Sequence, residues 1–76
     1  MIALLTGIIE HIDEGSAVID VNGVGYLVAV PPRVAGSLTR GGNVRLHIHT
    51  VVREDAISLY GFLSSSEREF FKLMLG

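Results

Sequence analysis

The chain has 76 residues, no cysteine and a formal net charge of −2, which indicates one small domain without disulfides or a thiolate metal site. The slightly acidic balance gives no overall positive field to attract nucleic acid, and no segment approaches the roughly 18 apolar residues of a membrane span. Hydrophobic residues make up 49% of the chain, so we expect part of its apolar surface to be buried against other copies or against a further segment.

In the first part of the chain, the hydrophobic pattern has a period of two residues, which is typical of β-strands. A long apolar stretch predicts the first strand over residues 2–12, with Gly7 in its middle. Because an interior glycine in a strand often marks a bend or a bulge, we expect a barrel corner there. Residues 14–16 read Glu-Gly-Ser, which predicts a turn.

The second and third strands are predicted over residues 17–21 and 24–30. Asn22-Gly23 lies between them and is a strong hairpin signal, since both residues tolerate positive φ in a type I′ turn. Pro31-Pro32 ends the third strand, because proline has no amide proton to donate to a neighbouring strand.

The middle of the chain continues the strand pattern after a short interruption. Residues 33–39 predict a single helical turn, which Gly36 weakens. Residues 43–52 alternate cleanly and predict the fourth strand. The charged residues 53–56 leave room only for a hairpin connection, and residues 57–62 predict the fifth strand.

The last segment has a sequence pattern that predicts a helix. Ser64 with Glu67, and Ser66 with Glu69, both have the spacing of a capping box, so a helix is predicted to begin here. That helix is short and carries more apolar residues than water would favour, so we expect its phenylalanines to be unsheltered within this chain. The apolar residues are Phe70, Phe71, Leu73, Met74 and Leu75.

These elements together predict an all-β fold: a five-stranded Greek-key barrel of the OB type, followed by a short C-terminal helix. An SH3-like barrel is the alternative, because strand number and length barely separate the two architectures. We expect residues 1–63 to form the barrel and residues 64–76 to begin a helical segment.

The sequence offers little for catalysis. His47 and His49 lie on one strand face and are the conceivable metal pair, but zinc needs a third protein ligand, for which only the distant His11 is available. The serines show no histidine–aspartate arrangement or glycine elbow, and the glycines form no complete dinucleotide loop. We therefore expect no enzyme activity, no metal and no cofactor. A histidine-based metalloenzyme is an alternative that zinc analysis would test.

Nucleic-acid binding by the barrel alone is also predicted to be weak. An OB barrel that binds single strands usually offers aromatic platforms in a basic groove. Here the barrel carries Tyr26, Tyr60 and Phe62, and its scattered arginines are offset by acids. We expect Tyr26 to be a half-buried strand residue rather than a stacking platform.

Arg53, Glu54 and Asp55 form the most charged stretch of the predicted barrel. A solvated hairpin tip with a local arginine–glutamate pair would account for them without any function. Their sequence context favours a more specific interpretation.

Four short motifs occur in order along the whole chain. They are Met1-Ile-Ala with Gly7-Ile-Ile, then Asn22-Gly-Val-Gly-Tyr26, then Val51-Val-Arg-Glu-Asp-Ala56 followed by Leu59-Tyr-Gly-Phe62, and finally Glu67-Arg-x-x-Phe71-Lys-x-Leu73. In order and spacing they resemble the RuvA family, the bacterial subunits that bind Holliday junctions in the RuvAB branch-migration machine. The resemblance covers only the N-terminal OB domain of that family.

The resemblance implies a non-catalytic role in DNA recombination and repair. In this family four OB domains form a homotetramer, and hairpins matching Glu54 and Asp55 meet near the four-fold axis as an acidic pin at the crossover of a four-way DNA junction. A helix-hairpin-helix domain that holds the DNA follows, then a domain that contacts the RuvB motor; the RuvC resolvase joins the larger complex. Neither of these later domains is in the 76 residues.

Two further points remain open at this level. Arg53 either contacts a DNA phosphate or neutralises its acidic neighbours. The chain as a whole is alternatively a stand-alone OB adaptor for a protein or RNA partner, which predicts a monomer. With no signal peptide at its N-terminus and no cysteine, we expect the protein to be cytoplasmic and away from membranes.

Overall fold

The computed structural model describes residues 1–75. Its strands and helices, in chain order, are β1 (Leu4–Ile12), β2 (Ser16–Val21), β3 (Val24–Ala29), α1 (Pro32–Ser37), β4 (Asn43–Val52), β5 (Ile57–Phe62) and α2 (Ser65–Leu75). Gly76, the last residue of the predicted helical segment, lies outside the described residues. None of the described helices is long and apolar enough to cross a membrane.

The five strands close into a barrel in the order β1-β2-β3-β5-β4. All neighbouring strands are antiparallel except β3 and β5, which run parallel and share a single register pair, Ala29 with Tyr60. This confirms the predicted five-stranded OB-type barrel, with α1 between the third and fourth strands. Closure removes most free strand edges, which protects a small all-β chain from edge-to-edge association.

The barrel interior holds one apolar cluster drawn from every strand and from α1. Strand alternation directs every second side chain inward, so each strand contributes one row to this core. No polar or charged side chain is buried among residues 1–75. The buried residues are Leu5, Ile9, Ala17, Ile19, Val28, Val30, Val34, Leu46, Ile48, Leu59 and Phe62.

The β2–β3 hairpin has the predicted turn. Asn22 and Gly23 adopt φ values of 51° and 92°, and the amide of Gly23 donates to the Asp20 carboxylate at 2.8 Å. Both central residues are therefore left-handed, as a type I′ turn requires.

Gly7 lies where β1 changes its neighbour, because residues 4–8 pair with β4 and residues 8–12 pair with β2. The β1–β2 register shifts between Ile9 and His11, so the irregularity of β1 lies beyond Gly7. A Cβ atom on Gly7 would overlap the carbonyl oxygen of Asp20 on β2. Glycine is needed there because two strand backbones approach closely, which is the second common reason for a glycine inside a strand.

Helix α2 begins with one of the two predicted caps. The amide of Glu67 donates to the hydroxyl of Ser64 at 3.2 Å, as in the first half of a capping box. Glu69 instead contacts Arg68 and Lys72 within the helix.

The expectation that both phenylalanines of α2 are unsheltered is wrong for Phe71. Its ring packs against His49, Tyr60 and Phe62, with centroid distances of 5.9, 5.1 and 4.9 Å. Phe70, by contrast, is 65% exposed. Helical geometry turns neighbouring residues about 100° apart, so only one of the two rings can face the barrel.

Candidate functional site

The acidic hairpin, residues 53–56, connects β4 and β5. β4 and β5 pair without interruption from His47 with Phe62 to Val52 with Ile57. The turn beyond this ladder is closed by the amide of Arg53, which donates to the carbonyl of Ala56 at 2.8 Å. A two-stranded ladder with a closed turn holds its tip in a defined position relative to the barrel.

The side chains of the acidic hairpin are all exposed. Within residues 1–75, no ion pair joins Arg53 to Glu54 or Asp55, so the local pair considered from the sequence does not form. One positive and two negative groups leave each hairpin with a charge of −1. Exposed carboxylates at a loop tip have no packing role, but they repel any phosphate that approaches them.

The base of the acidic hairpin is apolar, a feature the sequence did not single out. Val52 and Ile57 face each other across the ladder and are 66% and 70% exposed. Leu27 on β3 is 66% exposed and lines a cleft together with Ile57. Strand alternation places Val52 and Ile57 on the inward row, but they lie past the end of the barrel core. A sequence pattern cannot reveal where that core ends.

Helix α2 is fixed to the barrel at the opposite end of β5 from the acidic hairpin. Arg33 of α1 forms an ion pair with Glu67, and this hydrogen bond lowers the pKa of Glu67 below its usual value. The guanidinium of Arg68 donates to the carbonyl of Ala3 at 3.1 Å. Together with the ring of Phe71, these contacts attach α2 to three separate parts of the fold.

The three histidines are dispersed. His11 contacts Asp13 at 3.3 Å, His49 lies against Phe71, and His47 is paired with Leu4 and Phe62 across its neighbouring strands. In the described part of the chain, no three histidine, cysteine, aspartate or glutamate side chains are grouped to share a metal ion.

The aromatic residues do not form an open stacking surface. Tyr60 and Phe62 are both in contact with Phe71, and Tyr26 is partly buried against the barrel core. Base stacking requires an exposed ring face, which the contact with Phe71 obstructs. Of the features that the sequence singled out, the acidic hairpin is the one that the fold presents to solvent as a unit.

Comparison with known proteins gives one consistent result. The family model described as "RuvA N terminal domain" matches residues 1–61. The chain is 55% identical over 75 residues to the "Holliday junction branch migration complex subunit RuvA" of Pelobacter propionicus, covering 99% of this chain and 38% of that protein. The same-named subunits of Trichlorobacter lovleyi and Geobacter sulfurreducens are 51% and 50% identical, again over 99% of this chain and 38% of each relative. The chain thus spans well under half the length of the relatives it matches.

Proposed function

This chain belongs to the RuvA N-terminal domain family, and from that premise we propose that it is the assembly domain of a subunit that binds Holliday junctions and supports their branch migration. Four copies would form a ring with their acidic hairpins near the axis, where the four DNA arms cross over. The observation that carries this proposal is the acidic hairpin itself, which projects from the barrel with its turn closed and its carboxylates free.

The proposed action of the hairpins is to guide strands rather than to melt them. A carboxylate about 10 Å from a phosphate repels it by roughly 0.4 kcal/mol in water, and salt leaves about a third of that. Four hairpins bring 4 × 2 = 8 carboxylates, which together give about 1 kcal/mol per phosphate. The free energy needed to separate one base-pair step is of about the same size, and it is needed again at every step. The acidic hairpins alone therefore cannot drive branch migration.

The energy for migration must therefore come from another component. We assign it to the RuvB ATPase, with RuvC acting on the junction in the larger complex, as the family resemblance implies. This chain has no catalytic step in the proposal and requires no metal or cofactor. Residues 1–63 act as the assembly barrel, and residues 64–76 lead toward the domain that holds the DNA. We expect the protein to work in the cytoplasm, where its DNA substrate is.

The role of Arg53 follows from its position at the start of the acidic hairpin. The guanidinium of Arg53 is exposed, and it forms no ion pair with a carboxylate of its own chain among residues 1–75. We therefore favour a phosphate contact over neutralisation of its neighbours, since a free guanidinium matches phosphate geometry.

The decisive test removes the charge but keeps the shape. Residues 1–75 replace the matching segment of the Pelobacter propionicus relative, and this chimera carries E54Q and D55N. We expect it to bind a four-way DNA junction several-fold more tightly at low salt, with a difference that shrinks as salt is added. Branch migration driven by the motor should change in rate, while the mass of the assembly does not.

The matched control is D13N with E14Q, which neutralises two adjacent exposed acids in the β1–β2 turn. It should leave junction affinity and migration rate unchanged. If the E54Q/D55N chimera behaves like this control in both measurements, the guiding role of the acidic hairpin is wrong. A chimera that stays monomeric would instead restore the adaptor interpretation.

A further inference from the structure

The tip of the β2–β3 hairpin carries a chemically reactive dipeptide. Asn22 and Gly23 form the turn beyond the register pair of Val21 with Val24, and both are exposed. An asparagine followed by glycine is labile, because glycine has no side chain to obstruct the attack of its amide nitrogen on the asparagine carboxamide. A Cβ atom at Gly23 would meet nothing within 4 Å, so the surroundings of the turn leave room for a ring to form.

The reaction open to this pair is deamidation. The amide nitrogen of Gly23 loses its proton and bonds to Cγ of Asn22, the bond from Cγ to the carboxamide nitrogen breaks, and ammonia leaves with the proton. A water molecule from solvent then opens the succinimide ring at one of its two carbonyls. The product is aspartate, or isoaspartate when the main chain continues through the side-chain carbon. Water is the only co-reactant.

The folded turn holds the two reacting groups apart. Asn22 has a φ of 51°, which is in the left-handed region, and there ψ is about +30 to +60°. This ψ places the nitrogen of Gly23 nearly opposite Cβ of Asn22 across the Cα–C bond. Ring closure needs the two atoms on the same side of that bond, so ψ must first rotate out of the left-handed region. The turn therefore has to open before Asn22 can react.

Asp20 is the side chain that opposes this opening. Its carboxylate accepts from the amide of Gly23 at 2.8 Å, which engages the proton that the attacking nitrogen must lose. The backbone of Asp20 pairs with Ile8 on one side and with Gly25 on the other, so the carboxylate extends from a strand that is fixed on both edges. Rotation of ψ at Asn22 turns the Gly23 amide away and breaks this charge-assisted hydrogen bond.

We propose that Asn22 is a site of spontaneous deamidation, and that the Asp20 carboxylate slows the reaction in the folded chain by holding the Gly23 amide. The inference is independent of the proposed function. Both products add one negative charge beside Asp20, in a chain whose formal net charge is −2. Isoaspartate also lengthens the main chain, so the turn loses the backbone geometry that matches the twist of its two strands.

The experiment incubates the full chain in mildly alkaline buffer, separates the more acidic product by ion exchange and locates the change by peptide mass spectrometry. The chain supplies an internal control, because its only other asparagine, Asn43, precedes Val44. The branched side chain of valine obstructs the same attack. We expect the new acid at position 22 and not at position 43, and N22G should give no acidic product.

Two substitutions at Asp20 distinguish holding the Gly23 amide from catalysing its attack. D20N keeps a side-chain oxygen that accepts from this amide, whereas D20A removes it. We expect Asn22 to deamidate several-fold faster in folded D20A than in wild type, and D20N to stay close to wild type. In urea, where the turn is absent, the three chains should react at closely similar rates, which assigns the difference to the folded turn.

Should D20A fail to fold, D20V repeats the test with a side chain that suits a strand. Equal rates in folded D20A and wild type would overturn the role of Asp20. Slower deamidation in both D20A and D20N would also overturn it, because the carboxylate would then be acting as the base that takes the Gly23 proton. A wild-type chain that keeps its Asn22 carboxamide even in urea would overturn the site itself.

Discussion

At the scale of single residues, Gly7 is the glycine among residues 1–75 at which an added Cβ atom would meet the closest neighbour. A side chain there would meet the Asp20 carbonyl of the neighbouring strand, and backbone atoms cannot move aside as a flexible side chain can. The sequence predicted a bend or bulge at this glycine but not the close approach of β2, because a strand glycine looks the same whether it bends the strand or admits a close neighbour.

The G7A substitution should therefore destabilise the barrel by about 1–3 kcal/mol, the usual cost of overpacking a well-filled site. Urea unfolding followed by circular dichroism measures this. G15A is the matched control, since nothing lies within 4 Å of its added methyl group. It should leave the free energy of unfolding unchanged or slightly raised. Equal stability of the two variants would contradict the close approach of β1 and β2.

The charged residues of the acidic hairpin show how far sequence reasoning about a site can go. The motif located Glu54 and Asp55 on a hairpin, and the fold presents both to solvent. It did not locate Leu27 or Ile57, which come from separate strands. Their cleft depends on how far β3 and β5 diverge, and no local pattern encodes the divergence of two strands that are distant in sequence.

At the scale of elements, α2 is held to the fold by one aromatic ring, Phe71, and by two polar contacts at the surface, from Glu67 to Arg33 and from Arg68 to Ala3. None of its residues is fully buried, yet Phe71 contacts three aromatic rings on β4 and β5. Strand and turn elements were predictable because alternation and turn residues are local signals. The docking of α2 was not, because it depends on which face of the helix meets the barrel.

The F71A substitution should release α2 while leaving the barrel folded. Because an 11-residue helix is marginal without packing, amide protons of Ser65–Leu75 should exchange much faster, whereas those of β4 keep their protection. F70A is the matched control, since that ring is 65% exposed and its removal should change neither. If the two variants exchange alike, Phe71 is not the anchor of α2.

At the scale of the whole molecule, β5 connects the acidic hairpin at its start to α2 beyond its end. Its first residue, Ile57, lines the cleft that also contains Leu27 of β3. With a net charge of −2, the chain has no overall positive field of the kind that DNA binding requires.

The measurement that tests this account most directly is the distance between acidic hairpins in the assembly. The cysteine-free chain accepts a single spin label through D55C, and pulsed electron resonance then reports distances between copies. Four hairpins around one axis predict two short distances in a ratio of about 1.4, the side and the diagonal of a square. A label at E14C, on another turn, should give longer distances. The account is contradicted if D55C gives no distance between copies, or a single distance as long as that from E14C.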